Sequence, residues 1–189
     1  MKIGLIVEGD SDKAFFDNYF MEKFGFTKRN LLVYTSGKKK GNCNITKKQT
    51  IQAHIKTLIE NSCTDIFVLV DLNTQLDNQT KFNCPILLRD WYKGKVNLKN
   101  FKDKFNNLKV IVIAQEIESW LYSAWDFSDN KMKKDLNLLF KNIEESKNKK
   151  YISLNEKDLL KKFISYKKPL DLRKNQSLKY FMDKLEQCK

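Results

Sequence analysis

Three short apolar runs, each delivering the chain onto a carboxylate, constrain this sequence more than any other feature. Ile3-Gly4-Leu5-Ile6-Val7 stops at Glu8 and Gly9, residues 65–70 stop at Asp71, and residues 110–114 lead into Glu116 and Glu118. Apolar runs of about five to seven residues, bounded by turn residues, read as strands buried on both faces. Such strands belong to a parallel sheet with helices packed on each side. All strands of a parallel sheet point the same way, so the loops that follow them share one edge, where ligands bind. Glu8, Asp71 and Glu118 are therefore neighbours by topology, together with the basic loop 36–42.

Strand and helix signals alternate through the first two thirds of the chain, as an α/β fold requires. Strands are expected over 2–7, 31–34, 66–70 and 110–114. A first helix carries Ala14, Phe15, Phe16, Tyr19, Phe20 and Phe24 at near-helical spacing, with Asp10 or Ser11 as its cap. A second covers 46–61, with Ile51, Ile55, Leu58 and Ile59 facing inward. Pro85 interrupts the next stretch, in which 86–91 reads as a short strand or a turn of helix and 98–105 as helix. Residues 118–125 continue as a helix with Trp120, Leu121 and Trp125 in the core. Lysine-rich helical patterns follow, the last over 180–185. The expected organisation is an α/β core over 1–125 with a helical extension, 126–189, packed on it.

Composition narrows the chemistry. His54 is the only histidine, and Cys43, Cys63, Cys84 and Cys188 show no Cys-x-x-Cys spacing. Zinc sites, disulfide frameworks and histidine-based nucleophilic catalysis are therefore disfavoured. His54 reads as an ordinary helix side chain and the cysteines as reduced thiols. The apolar runs fall well short of the roughly 20 residues that cross a bilayer, so no membrane segment and a cytoplasmic location are expected.

The net charge is +13, and a field of that sign concentrates polyanions such as nucleic acid near the surface. Arg29, Arg89 and Arg173 are the only arginines. Bidentate reading of guanine edges, which favours arginine geometry, is thus not the expected mode of recognition.

Carboxylates sharing one edge repel by roughly 1–3 kcal/mol per pair at about 5 Å, and a divalent cation offsets this. Hard oxygen donors without nearby histidine or cysteine suit Mg2+, with Mn2+ as a substitute. Ions of this kind bind a phosphodiester, stabilise charge in its transition state and activate water. Lys38, Lys39 and Lys40, in the loop Ser36-Gly37-Lys38-Lys39-Lys40-Gly41-Asn42, are candidates to hold the anionic substrate. That loop lacks P-loop spacing. Trp91-Tyr92-Lys93-Gly94-Lys95 mixes aromatics with cations in a way that suits base stacking, although burial of Trp91 in the core is the expected role.

The segments Val7-Glu8-Gly9-Asp10-Ser11-Asp12, Leu69-Val70-Asp71-Leu72-Asn73 and Glu116-Ile117-Glu118-Ser119-Trp120-Leu121 resemble the motifs of the Toprim superfamily. The third is most similar to that of small stand-alone Toprim-like bacterial proteins related to the overcoming-lysogenization-defect nucleases. The resemblance covers roughly residues 2–125 and implies a Toprim-like Rossmannoid parallel sheet flanked by helices. It makes Glu8 the acid of the first motif, Asp71 the first acid of an Asp-x-Asp pair, and Glu118 the late acid before tryptophan. These three are the implied catalytic residues, and with Asn73 they form the implied metal set.

Asn73 departs from the family pattern. It replaces the second aspartate, keeping a carbonyl oxygen but losing the charge, so a second metal binds more weakly or not at all. Asp12, Glu116 and Asp77 are further candidates; Glu116 joins the set if the strand extends to it, because side chains alternate with period two.

The leading expectation is a metal-dependent nuclease acting on DNA or RNA in bacterial defence, repair or RNA processing, with a partner ATPase or a homodimer in view. A catalytically lapsed module that binds nucleic acid or protein is the alternative. A nucleotide or small-phosphate site is a third.

Overall fold

The computed structural model describes residues 1–36, 38, 39, 42, 43, 45, 47–71, 84–95, 107–113, 120 and 170–188. Its centre is a four-stranded parallel sheet made of β1 (Ile3–Val7), β2 (Leu31–Thr35), β5 (Asp65–Asp71) and β6 (Asn107–Ile113). The strand order is β2-β1-β5-β6, and every pairing is parallel. The expected α/β class is therefore the observed one. Lys38–Lys39 and Asn42–Cys43, strands β3 and β4, form a separate antiparallel pair, so part of the expected basic loop is a small hairpin.

Burial follows position in the sheet. β1 is buried at all five residues and β5 at its first six, as strands covered on both faces must be. β2, at one edge, alternates at its start. Ile3, Leu5 and Val7 pack on one face with Phe67, Leu69, Ile111 and Ile113. Ile6 packs on the other with Ile66, Val68, Val70 and Val110.

The first face is covered by α1 (Asp10–Phe15), a π-helical turn (Phe16–Phe20) and α2 (Met21–Phe24). Phe15, Phe16, Tyr19 and Phe20 are all buried, each fully buried ring being worth roughly 1.5–3 kcal/mol. The helix stops at Gly25, whose φ of 71° is the left-handed conformation that ends helices and that glycine adopts without strain.

The last helix, α5 (Gln176–Glu186), lies on the same face. Phe181 packs edge-on against Phe16 and Phe67 and stacks on Trp120 at 5.2 Å between centroids. Leu178, Met182 and Leu185 complete its buried stripe. The helix begins four residues before the expected 180–185, because Asn175 caps it by accepting the Leu178 amide.

The second face is covered by α3 (Lys48–Glu60) and α4 (Pro85–Lys95). Gly4 permits close approach of α3: a Cβ there would lie 2.7 Å from Leu58 Cδ1. Residues 86–91 are helix, and proline opens α4 where its missing N–H costs nothing. Tyr92 is the buried ring of this segment, donating to Ile45 O at 2.8 Å, while Trp91 is only partly covered. His54 sits beside the Tyr34 ring, and burial lowers its pKa.

β6 starts three residues earlier than expected, so Asn107 and Lys109 lie within a strand. Among the described residues no helix is long and apolar enough to cross a membrane. The expected helix over 98–105 lies outside the described residues, as does all of 118–125 except Trp120.

Candidate functional site

In the order β2-β1-β5-β6 the chain leaves β1 for β2 on one side and later returns to β5 on the other. The strand order thus reverses between β1 and β5, and open α/β sheets bind ligands outside the carboxyl ends of such neighbouring strands. Glu8 follows the last residue of β1 and Asp71 is the last residue of β5. The two acids flank that crevice.

The structure joins them directly. The Asp71 amide donates to Oε1 of Glu8 at 3.2 Å, across 63 residues of sequence. Glu8 is also held through its backbone, because Ser36 Oγ donates to Glu8 O at 3.1 Å and the Ser36 amide donates to Val7 O at 2.9 Å. Ser36 is 6% exposed, so this contact is made away from bulk water. In the sequence Ser36 reads only as the start of a basic loop. The available signal was a small hydroxyl residue directly after an apolar strand, which is compatible with many turns.

Asp12 holds the turn that follows. Its Oδ2 accepts the Gly9 amide at 2.9 Å, while Gly9 O accepts the Lys13 amide at 3.1 Å. The expected cap at Asp10 or Ser11 is corrected: Gly9 occupies the capping position and α1 begins at Asp10. The strand runs into the helix so abruptly that the cap falls on a residue without a side chain, and the acid in the first turn reaches back instead. Lys13 then fastens the helix to the neighbouring strand, donating to Asp17 Oδ2 at 2.8 Å and to Val33 O at 3.0 Å.

Of the candidate residues, Glu8 and Asp71 are thus brought together and Asp12 lies in the adjoining turn. Lys38 and Lys39 lie in the hairpin after β2, on the chain that leaves Ser36. Lys40, Asn73, Asp77, Glu116 and Glu118 lie outside the described residues. Ile113, paired with Asp71 in the sheet register, and the buried Trp120 bracket the segment that carries Glu116 and Glu118.

Among the described residues no group of three or more His, Cys, Asp or Glu side chains is placed to hold a metal. The Glu8 and Asp71 pair fits Mg2+ in donor chemistry. That ion keeps several waters and is commonly bound by one or two carboxylates together with substrate phosphates. A carboxylate offers about four lone-pair sites, so the hydrogen bond to one Glu8 oxygen is compatible with coordination.

Two further polar clusters involve α5 and its flanking residues. Trp120 Nε1 donates to Ser177 Oγ at 2.9 Å, and Ser177 Oγ donates to Asn175 Oδ1 at 2.8 Å, tying the buried indole to the start of α5. At the opposite end of the sheet, Lys109 Nζ lies 2.6 Å from Asp65 Oδ1 and 2.9 Å from Cys188 Sγ. Burial alone would raise the Asp65 pKa, but hydrogen bonds from Lys109, Cys188 and Thr64 outweigh it and hold the carboxyl below its usual range. Burial pushes the Cys188 thiol up. Cys63, Cys84 and Cys188 are free thiols.

The chain matches no family model, no curated protein and no solved structure.

Proposed function

We propose that the protein is a divalent-metal-dependent, Toprim-like nuclease that hydrolyses phosphodiesters of DNA or RNA. The observation that carries this reading is the Glu8 and Asp71 pair at the point where strand order reverses, joined by the 3.2 Å hydrogen bond. The +13 charge supports a polyanionic substrate.

In this reading Glu8 and Asp71 hold Mg2+ or Mn2+, with Asn73 and Glu118 completing the set that the motif resemblance implies. The ion supplies Lewis acidity and an activated water at the scissile phosphate. Ser36 and Asp12 keep the Glu8 turn in place through their hydrogen bonds to Glu8 O and the Gly9 amide. Lys38, Lys39 and Lys40 attract and orient the phosphate backbone. A role in bacterial defence, repair or RNA processing, with a partner ATPase or as a homodimer, belongs to the same proposal.

The test is cleavage of single- and double-stranded DNA and RNA by the purified protein with Mg2+ or Mn2+. Activity in the wild type and its loss in Glu8→Ala and Asp71→Ala support the reading. No cleavage by the wild type on any of these substrates, with nucleic-acid binding unchanged in both variants, overturns it.

One observation favours a second reading. Asn73 stands where the motif has its second aspartate, as expected of a lapsed module that only binds nucleic acid or protein. Metal-independent binding, with no rise in melting temperature on adding Mg2+ or Mn2+, selects this alternative, because a ligand bound only by the folded state must stabilise it.

A further inference from the structure

The Lys109 cluster lies at the amino-terminal end of the sheet, away from the Glu8 and Asp71 edge. Asp65 opens β5, and Lys109 lies on β6 opposite Phe67. The ammonium group donates to Asp65 Oδ1 at 2.6 Å and to Cys188 Sγ at 2.9 Å, and it sits 5.1 Å from the Phe67 ring centroid. The partners are themselves held, since Thr64 Oγ1 donates to Asp65 Oδ2 at 3.0 Å and Cys188 Sγ lies 3.2 Å from Lys184 O. Cys188 is 6% exposed, whereas the Lys109 side chain keeps 21% exposure, enough contact with solvent for a small oxidant to reach the cluster.

An ion pair of lysine and aspartate is complete without a thiol. Here the sulfur is placed against the same nitrogen, so an amine nitrogen and an oxidisable sulfur lie within reach of each other at one site. We propose that Lys109 and Cys188 form an intramolecular oxidative cross-link when the protein meets a peroxide. This does not depend on the nuclease reading.

The chemistry has two steps. In the first, the Cys188 sulfur attacks hydrogen peroxide, the O–O bond breaks, and the thiol becomes a sulfenic acid with release of one water. Sulfur is oxidised by two electrons and the peroxide is reduced. Sulfenic acids condense with nearby nitrogen to give sulfenamides. In the second step hydroxide in the alkaline solution takes a proton from the Lys109 ammonium, and the freed amine attacks the sulfenic sulfur. The S–O bond breaks and an N–S bond forms. The hydroxyl leaves as water with a proton from solvent, and one further proton of the attacking nitrogen returns to solvent.

The bond joins β6 to the residue that follows α5 by two positions. Because α5 carries Phe181 against Trp120, Phe16 and Phe67, the cross-link fastens part of the cover of that sheet face.

The test uses the full chain, treated with dilute hydrogen peroxide in mildly alkaline solution, where more thiolate is present, then digested without reductant. The expected product is a linked pair of peptides containing Lys109 and Cys188, lighter by two hydrogens than their sum and separated by dithiothreitol. Lys109→Arg keeps a cation beside Asp65 but loses the linked pair completely, as does Cys188→Ser; circular dichroism checks that both variants are folded. The proposal is overturned if wild-type Cys188 gains only oxygen without a linked peptide, stays unmodified, or if the linked species persists in Lys109→Arg.

Discussion

The amide of Asp71 donates to the carboxylate of Glu8 at 3.2 Å, so the ends of β5 and β1 are tied by the same side chain that is the candidate metal ligand. One group therefore has both a structural and a chemical assignment, and substitutions can separate them.

Glu8→Gln retains an oxygen that accepts the Asp71 amide but removes the negative charge. The melting temperature is expected to stay within a few degrees of wild type, while Mn2+ affinity falls about 10- to 100-fold. Titration calorimetry with Mn2+, paired with thermal melts, reads both. A variant that binds Mn2+ as tightly as the wild type would remove Glu8 from the ligand set.

Gly4→Ala places a methyl group 2.7 Å from Leu58 Cδ1 and 2.8 Å from Cδ2 in a filled interior. The expected destabilisation is about 1–3 kcal/mol by urea unfolding. Shortening Leu58 to valine in the same chain should recover part of it, since contacting residues couple. Strictly additive losses would show that the close approach of α3 to β1 is not what requires glycine.

Ser177→Ala removes the hydroxyl that accepts Trp120 Nε1 in the buried cluster. A loss of about 1–3 kcal/mol is expected, and a smaller one when Trp120→Phe has already removed the donor. Urea denaturation of the two single variants and the double variant measures the coupling.

The Asp65 and Lys109 pair makes stability depend on pH in a defined direction. Asp65 is held below its ordinary 3.8, so its contribution is present above that value and is lost as pH falls through the lower folded-state pKa. For Lys109, burial would lower the pKa, but hydrogen bonds to Asp65 and Cys188 raise it above 10.5. Its contribution is present below 10.5 and is lost as pH rises through the raised value. Between these limits Lys109→Met should cost about 2–3 kcal/mol, discounted for partial solvent exposure of the lysine. Unfolding curves of wild type and Asp65→Asn at neutral and strongly acidic pH should differ widely at the first and converge at the second.

Much of the sheet was legible. Ile3–Val7 and residues 66–70 carry no polar side chain, so their burial on both faces followed from composition alone, and the acids after them followed from the shared direction of parallel strands. The start of β6 was not legible, because Asn107 and Lys109 interrupt the apolar pattern. Lys109 is accommodated only because Asp65 and Cys188, 44 and 79 residues away, neutralise and solvate its charge. The helix over 86–91 was ambiguous because short apolar runs carry little periodicity, and proline at its first turn reads equally as a break.

The sequence by itself determined the class of fold and the edge on which Glu8 and Asp71 meet, since hydrophobic run length and strand direction are local properties of the chain. Only the tertiary structure decided that Glu8 accepts the Asp71 amide, that Ser36 anchors the Glu8 backbone, and that α5 closes the core over Trp120. Each of these depends on which distant atoms reach hydrogen-bonding or packing distance, and no periodicity along the chain encodes that.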